Sequence, residues 1–442
     1  MLPVTTQQQM TDKQWHNWSG NQSATTTVAA PDSIDAVAEL VRKAAADGTR
    51  VKPIGSGHSF TGIGVPEGIQ LDMSALRGIV GVDGRRVRMR AGTRLHEIPA
   101  LLAPYGLGMR NLGDIDRQTI TGATSTGTHG TGLAFGGIST QIVGATIVTG
   151  TGEVVTVTDE DDELRAVALG LGALGVIVDL TIECVDAFSL RAHDQPLDLD
   201  DAVGGFVDRV ESCDHHEFYW FPHTRRALAK TNTRLPATAM RSGPGRVRRY
   251  IDDEVISNKV YGVVCELGRR LPSTVPTLNR VASHALSERT YTAPSAEVFA
   301  SIRDVRFREM EYAVELPAVA EVLTEIDRLI ERKGYKVSFP VEVRAAAADD
   351  LMLSTASGRT TGYIAVHRYH RDDPADIAAF FADVEEIMVA HHGRPHWGKL
   401  HTRDAEYLRS VYPRFDEFLA LRDEFDPERV FGNAYLRRVL GS

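Results

Sequence analysis

Two glycine-rich tracts constrain this chain more than any other feature. The first, PIGSGHSF at residues 53–60, follows the strand-like TRVK; the second, TITGATSTGTHGTG at 119–132, consists almost entirely of glycine and small hydroxylated residues. Such residues let backbone N–H groups approach a bound group that bulkier side chains would hold off. Two tracts of this kind in one domain imply an extended phosphate-bearing ligand, such as a dinucleotide. Ile120, Leu133 and Phe135, with no charged side chain across 119–135, argue for a buried, ligand-lined segment rather than a surface loop. Neither tract is a standard nucleotide fingerprint. The third glycine of G-x-G-x-x-G would fall at Phe60, and no Lys-Ser/Thr pair completes a P-loop, so Rossmann and P-loop enzymes are disfavoured. His58, taken alone, reads as a turn residue capping a neighbouring strand.

Around the tracts the chain is periodic. Residues 31–48 place Ile34, Val37, Ala38, Leu40 and Val41 at helical spacing with Gly48 as a stop, and TRVKPIGSG and GIQLDM add short strands to make a βαβ-like unit. GIVGVDGRRVRMRAG alternates around Asp83-Gly84, a hairpin dipeptide, and QIVGATIVTGTGEVVTVT predicts a second hairpin. LHEIPALLAPYG predicts a helix, and DDELRAVALGLGALGVIVDLTIECV a helix breaking at glycine into a strand. Beyond about residue 187 come longer alternating stretches, HHEFYWFPHT and GYIAVHRYH. Helices are predicted at ELPAVAEVLTEIDRLIERKG and DIAAFFADVEEIMVAHHG, and MRSGPGRVRRYIDD is a basic connector. A chain of 442 residues exceeds what one core usually supports. Two α+β domains are expected, 15–187 and 188–442, with the C-terminal tail returning to the first.

The 49 basic and 59 acidic residues leave a net charge of -10, which disfavours nucleic acid and anionic lipid as partners. Cys184, Cys213 and Cys265 lie far apart and form no CxxC pair, so neither a disulfide framework nor a thiolate metal site is expected. The first twenty residues have no basic region leading into an apolar core, and no apolar run reaches membrane-spanning length. The expectation is a cytoplasmic protein with no integral membrane segment, peripheral membrane contact being left open.

PIGSGHSFTGI, NLGDIDRQTITGATSTGTHGTG, GLGALGVI, GRPHWGKLH and DPERVFGNAYLRRVLG, in that order, resemble the vanillyl-alcohol-oxidase family of FAD enzymes. Within it they are similar to the sugar-1,4-lactone oxidoreductase and alditol oxidase branch, over nearly the whole chain after about Trp15. The resemblance implies a PCMH-type FAD-binding domain followed by an antiparallel-sheet cap domain. It implies FAD attached covalently through His58 and lined by Ile54, Gly55, Ser56, Gly57, Ser59, Thr119, Gly122, Ala123, Thr124, Ser125, Thr126, His129 and Ile177. Gly113 and Asp114 would lie in the loop beside the flavin, Gly113 at a position tied to dioxygen access in relatives. Asp114 stands where alditol oxidases carry a serine, which favours a lactone-type site.

The resemblance further implies that Glu342, Arg344, His367 and Lys399 are catalytic and, with Asp114, hold the substrate. From the residues alone, Glu342 and Arg344 share one strand face and read as readily as a solvated ion pair; His367, ending an apolar strand, reads as a core histidine. His391, His392, His396 and His401 fit neither H-E-x-x-H nor a zinc pattern, so no metal is expected. His396 and Trp397 are expected to support the packing around Lys399, and His215, His216 and His223 to form core and cavity wall. The implied reaction is oxidation of a CH–OH group of L-gulono-1,4-lactone or a related aldonolactone by hydride transfer to flavin N5, with dioxygen or a cytochrome- or quinone-type acceptor taking the electrons. The alternatives are an alditol oxidase making hydrogen peroxide from xylitol or sorbitol, and, from a different class, a non-catalytic dinucleotide- and sugar-binding protein.

Overall fold

The computed structural model describes residues 11–243, 261–301 and 305–442, so most of the connector MRSGPGRVRRYIDD lies outside the described residues. The helix Ile34–Ala46 begins where the Ser33 side chain accepts from the Ala36 amide, and it buries Val37, Ala38, Leu40, Val41 and Ala44. It links β2 (Ser23–Ala29) to β3 (Val51–Ile54); β1 (Thr11–His16) and β4 (Ile69–Asp72) complete a sheet ordered β1-β2-β4-β3, with β2 and β3 both parallel to β4. This is the βαβ unit expected from the periodicity.

The two hairpins form as their turn residues predict. β5 (Ile79–Asp83) pairs with β6 (Arg86–Arg90). β7 (Leu107–Gly108) is a short ribbon strand, and β8 (Ile142–Val148) pairs with β9 (Val154–Thr158). β10 (Val176–Glu183) joins the hairpins into a sheet ordered β5-β6-β10-β8-β9, and β11 (Val185–Asp186) pairs with β7. Local helix content is lower than expected. LHEIPALLAPYG is α-helical only over Ile98–Leu102, flanked by tight turns, because Pro99 and Pro104 lack the amide a longer helix needs. Residues following Asp161 make only the helical turn Leu164–Val167. Conversely, the second glycine tract contains a helix, Ile120–Ser125, capped where Thr119 Oγ1 accepts from the Gly122 amide.

The remaining strands form one eight-stranded antiparallel sheet: β12 (Phe188–Asp198), β13 (His215–Trp220), β14 (Arg226–Pro236), β15 (Arg289–Pro294), β16 (Phe307–Glu315), β17 (Val341–Ala346), β18 (Thr361–Tyr369) and β19 (Arg394–Pro395). Their spatial order is β15-β12-β14-β13-β17-β18-β16-β19. One face is apolar. Phe218, Trp220, Met310, Tyr312, Val341, Val343, Ile364 and Val366 form a core with the helices Val319–Lys333 and Pro374–Ala390. Strand geometry therefore sends the alternate residues to the opposite face.

The C-terminal segment packs on the first sheet. The Val51 amide donates to the Val430 carbonyl at 2.8 Å, and Asn433 Nδ2 reaches the carbonyls of Gly62, Ile63 and Val65 at 3.0–3.1 Å. Among the described residues no helix is long and apolar enough to cross a membrane.

Candidate active site

The first glycine tract leaves β3 and is clamped from outside. The Trp18 amide donates to the Gly57 carbonyl (2.8 Å), Asn17 Nδ2 to that of Ser59 and Asn21 Nδ2 to that of Phe60 (both 2.9 Å). Gly57 adopts φ +66°, a conformation that glycine takes without steric cost. A Cβ on Gly55 would lie 2.3 Å from Thr119 Oγ1, and one on Gly122 2.9 Å from the same oxygen. The two tracts thus meet where the bare backbone of Gly55 leaves room for the Thr119 hydroxyl.

Between them runs an open cleft, walled by Ile54, Gly55, Ser56, Gly57, His58 and Ser59 on one side and by Thr119, Gly122, Ser125 and Thr126 on the other, with Gly172, Gly175 and Ile177 at its margin. Arg94 Nη1 donates to Ser56 Oγ at 2.9 Å along its wall. Lys52, 4% exposed, also lines the cleft and pairs with no carboxylate among the described residues; burial and, next, Arg422 lower its ammonium to about 7. Glycine backbone, hydroxyls and cations without partner anions fit the diphosphate of a dinucleotide such as FAD. Not every expected residue faces the cleft. Ala123 and Thr124 point into the core with no exposure, His129 is buried deeper, and Asp114 borders a second cavity. A Cβ on Gly113 would come within 3.0 Å of the His129 carbonyl, which explains the glycine by packing.

The polar face of the large sheet carries the remaining candidates in register. Arg344 pairs with Glu342 and donates through Nε to Glu217 at 2.7 Å. The Tyr219 hydroxyl donates to Glu342 Oε1 (3.2 Å) and Glu217 Oε1 (3.1 Å). Burial pushes Glu217 up, but Arg344 and Lys230 outweigh it and hold the carboxyl below its ordinary range; burial, reinforced by Glu217 and Glu342, drives the Tyr219 phenol well up. Two strands away, Glu309 contacts Lys399 Nζ through one oxygen and lies 3.4 Å from His367 Nε2 through the other. His367 Nδ1 lies 3.1 Å from the Pro340 carbonyl. Against its burial, Lys399 and His367 hold Glu309 down at about 2. Glu311, one step along the same face, lies 2.5 Å from His129 Nε2, and the His129 ring stacks on Tyr363 with centroids 3.6 Å apart.

The cleft and the sheet face meet at His58. The Phe60 amide donates to the Gly398 carbonyl at 2.6 Å and Thr61 Oγ1 to that of Trp397 at 2.9 Å, so the histidine loop and the lysine loop are hydrogen-bonded neighbours. His58 stacks on Trp18, centroids 5.2 Å apart. Burial first, then Lys399, Arg117 and Arg94, lower its imidazole to about 4, leaving a neutral ring at neutral pH. Trp397 is fully buried and stacked on Tyr412, and His396 is buried with Nδ1 accepting from the Gly398 amide. The other histidines disperse. His401 meets the Tyr435 hydroxyl, and His391 lies with Glu321 and Glu325 at the edge of a helix. His215 and His216 are buried in β13, and His223 Nε2 accepts from the Val337 amide.

Glu217, Tyr219, Glu309 and Glu311 were not anticipated from the sequence. Their signal was present as alternation: Glu217 in HHEFYW and Glu309 and Glu311 in FREMEY alternate with large apolar side chains, and a carboxylate so placed is costly unless its face holds partners.

Residues 180–439 match the family model described as D-arabinono-1,4-lactone oxidase, and residues 25–158 match an FAD binding domain. The chain is 42% identical to an L-gulono-1,4-lactone dehydrogenase of Mycobacterium tuberculosis over 97% of its own length and 99% of the relative's. It is 28% identical to the L-gulonolactone oxidase of Bos taurus (92% and 94% covered) and 28% to a Streptomyces alditol oxidase (96% and 98%). A cholesterol oxidase structure from B. sterolicum superposes with a TM-score of 0.83 at 19% identity, covering 100% of this chain and 99% of that one, and so shares the fold. With the glycine-walled cleft and the charged sheet face, these matches establish that the chain belongs to the FAD-linked sugar-1,4-lactone oxidoreductase family, with a PCMH-type FAD-binding domain and a sheet-rich cap.

Proposed function

We propose that this enzyme oxidises L-gulono-1,4-lactone or a closely related aldonolactone, and that the observation carrying this is a pair of buried charged clusters on the polar face of one sheet, Glu342–Arg344–Glu217 and Lys399–Glu309–His367, the second of them with its lysine in the loop hydrogen-bonded to that of His58. The FAD-binding part spans 15–187 and the cap 188–442. When bound, FAD supplies the acceptor for the hydride that leaves the substrate carbon. Ser56, Thr119, Ser125, Thr126 and the backbone of Gly55, Gly57 and Gly122 hold its phosphates and sugar, with Lys52 and Arg94 supplying positive charge. His58, kept neutral by burial among cations, retains the lone pair needed to bond the flavin, which supports a covalent tether there.

Arg344 donates forked hydrogen bonds to ring and carbonyl oxygens of the lactone, held in plane by Glu217 and Glu342. Lys399 stabilises negative charge developing on the reacting oxygen. The hydroxyl proton passes to His367 Nε2, and Glu309, kept ionised by Lys399 and His367, stabilises the imidazolium that forms without taking the proton itself. Asp114, whose Oδ1 accepts from Ser301 Oγ at 2.6 Å, sets the charge near the lactone. The electron acceptor is dioxygen or a cytochrome- or quinone-type partner, and the compartment is cytoplasmic.

Two measurements test this. Steady-state rates over a panel of lactones and alditols should favour six-carbon lactones; turnover confined to alditols would replace the lactone reading by the alditol oxidase one. Acid precipitation should leave the yellow chromophore on the His58 peptide, and a white pellet under a yellow supernatant would refute the tether while keeping FAD.

A further inference from the structure

A second cavity opens beyond Arg344, and nothing in the reaction described above uses its far half. Arg344, Glu217 and Asp114 form its near wall; Lys230, Asn232 and Asp194 line the far part. Strand register explains the arrangement. Arg344, Glu217, Lys230, Asp194 and Arg289 stand in one row across five adjacent strands, with alternating charge. Asp194 is taken up by Arg289, which donates at 2.5 Å. The Lys230 ammonium, however, makes no hydrogen bond among the described residues: Glu217 stands 3.8 Å away, beyond hydrogen-bonding distance, and the Tyr219 ring centroid 5.2 Å from Nζ, so its three donors remain for a ligand. The Asn232 amide, one step along the same face of β14, makes no side-chain hydrogen bond among the described residues. A cavity that offers an ammonium and a side-chain amide with no hydrogen bonds of their own, beside carboxylates that balance the charge, suits a neutral, hydroxyl-rich group better than an ion or an apolar one. Lys230 stands two strand spacings, about 10 Å, from Arg344, which a six-carbon sugar bound at Arg344 spans with its tail.

We propose that this cavity is a distal subsite for the exocyclic hydroxyl-bearing tail of the substrate, with Lys230 and Asn232 as its specificity-determining residues. The inference rests on the lactone reading for the position of the ring, and it assigns the part of the molecule that does not react. Binding energy gained there orients the ring without touching the reacting carbon. The tail is what separates six-carbon lactones from four-carbon ones bearing the same ring hydroxyls.

The experiment compares kcat/KM for a six-carbon 1,4-lactone carrying a dihydroxyethyl tail with that for a four-carbon 1,4-lactone lacking it, in the wild-type holoenzyme and in Asn232→Leu and Lys230→Met. The wild type should prefer the tailed lactone by about thirtyfold, the worth of one or two hydrogen bonds to a charged or amide group. Each variant should lose most of that preference through KM; in Asn232→Leu kcat/KM on the tail-less lactone and the flavin absorbance spectrum stay unchanged, whereas Lys230→Met, which also removes a cation beside Glu217, should lose more on the tailed lactone than on the tail-less one. Equal losses on both lactones would overturn the proposal, since a merely structural role acts on both. So would a preference that survives both substitutions, or a wild type with no preference. If Lys230→Met fails to retain flavin, Asn232→Leu alone decides, because that amide supports no other side chain. Should the wild type oxidise only alditols, the lactone reading fails separately and the same comparison is made with six- and four-carbon alditols.

Discussion

The flavin cleft and the charged sheet face recognise their ligands by opposite means. The cleft is built from two short contiguous tracts that present backbone, and its decisive residues matter for the side chains they lack: a single Cβ at Gly55 would fall 2.3 Å from Thr119 Oγ1. The sheet face is built from what side chains offer. It takes one or two residues from each of several strands whose spatial order, β13-β17-β18-β16, differs from their order in the chain. A site that holds a ligand through backbone is locally encoded and fails by steric intrusion. A site of paired charges is assembled at a distance and fails by losing a partner.

Substitutions sharpen that contrast. The largest effect is expected on the sheet face, where Lys399→Ala or Arg344→Ala should lower kcat by about 10³-fold while the flavin-to-protein absorbance ratio stays at its wild-type value. Loss of flavin from either variant would show that the two regions are not separable. Gly55→Val is the reverse case. It should empty the cleft of flavin, read as loss of visible absorbance, with the far-ultraviolet circular dichroism of the cap retained; full flavin content would mean that the close approach of the tracts is not required. Glu217→Gln, which removes a charged partner from Arg344 but keeps the shape, should raise KM by about tenfold with a smaller change in kcat. An unchanged KM would remove Glu217 from the clamp.

The smallest effect concerns acid. Glu309 is held at about 2 in the folded protein against an ordinary 4.5, so the unfolded chain takes up the proton first as pH falls. Its contribution to stability is present above about pH 4.5 and is lost progressively towards pH 2. Urea unfolding at stepped pH should show this decline, and Glu309→Gln should flatten it; an identical decline in the variant would assign the acid sensitivity elsewhere, with Glu311 the next candidate.

The difference between the regions also explains which expectations needed the structure. The glycines around His58 were legible because their spacing lies within eight residues, and His58 itself was assigned to the flavin only through resemblance. Glu342 and Arg344 were legible as a pair on one strand face, and as a clamp only through resemblance. Glu217 and Glu309, which hold Arg344 and Lys399, sit in strands that look like ordinary alternating sequence, and no local rule names their partners. Ala123 and Thr124 were expected at the flavin only through the resemblance, but this part of the tract forms the helix Ile120–Ser125 and a helix sends successive side chains to different faces.

The sequence by itself determined the bare-backbone cleft, the βαβ unit and its hairpins, and the alternation that makes one sheet face apolar and the other polar, because glycine, turn dipeptides and hydrophobic period act over a few residues. Only the tertiary structure decided which charges meet, since strand order and register across the large sheet bring Glu217 to Arg344 and Glu309 to Lys399 from positions 127 and 90 residues apart. Buried charges are tolerable only in such pairs, and pairing over that separation is a property of the folded sheet.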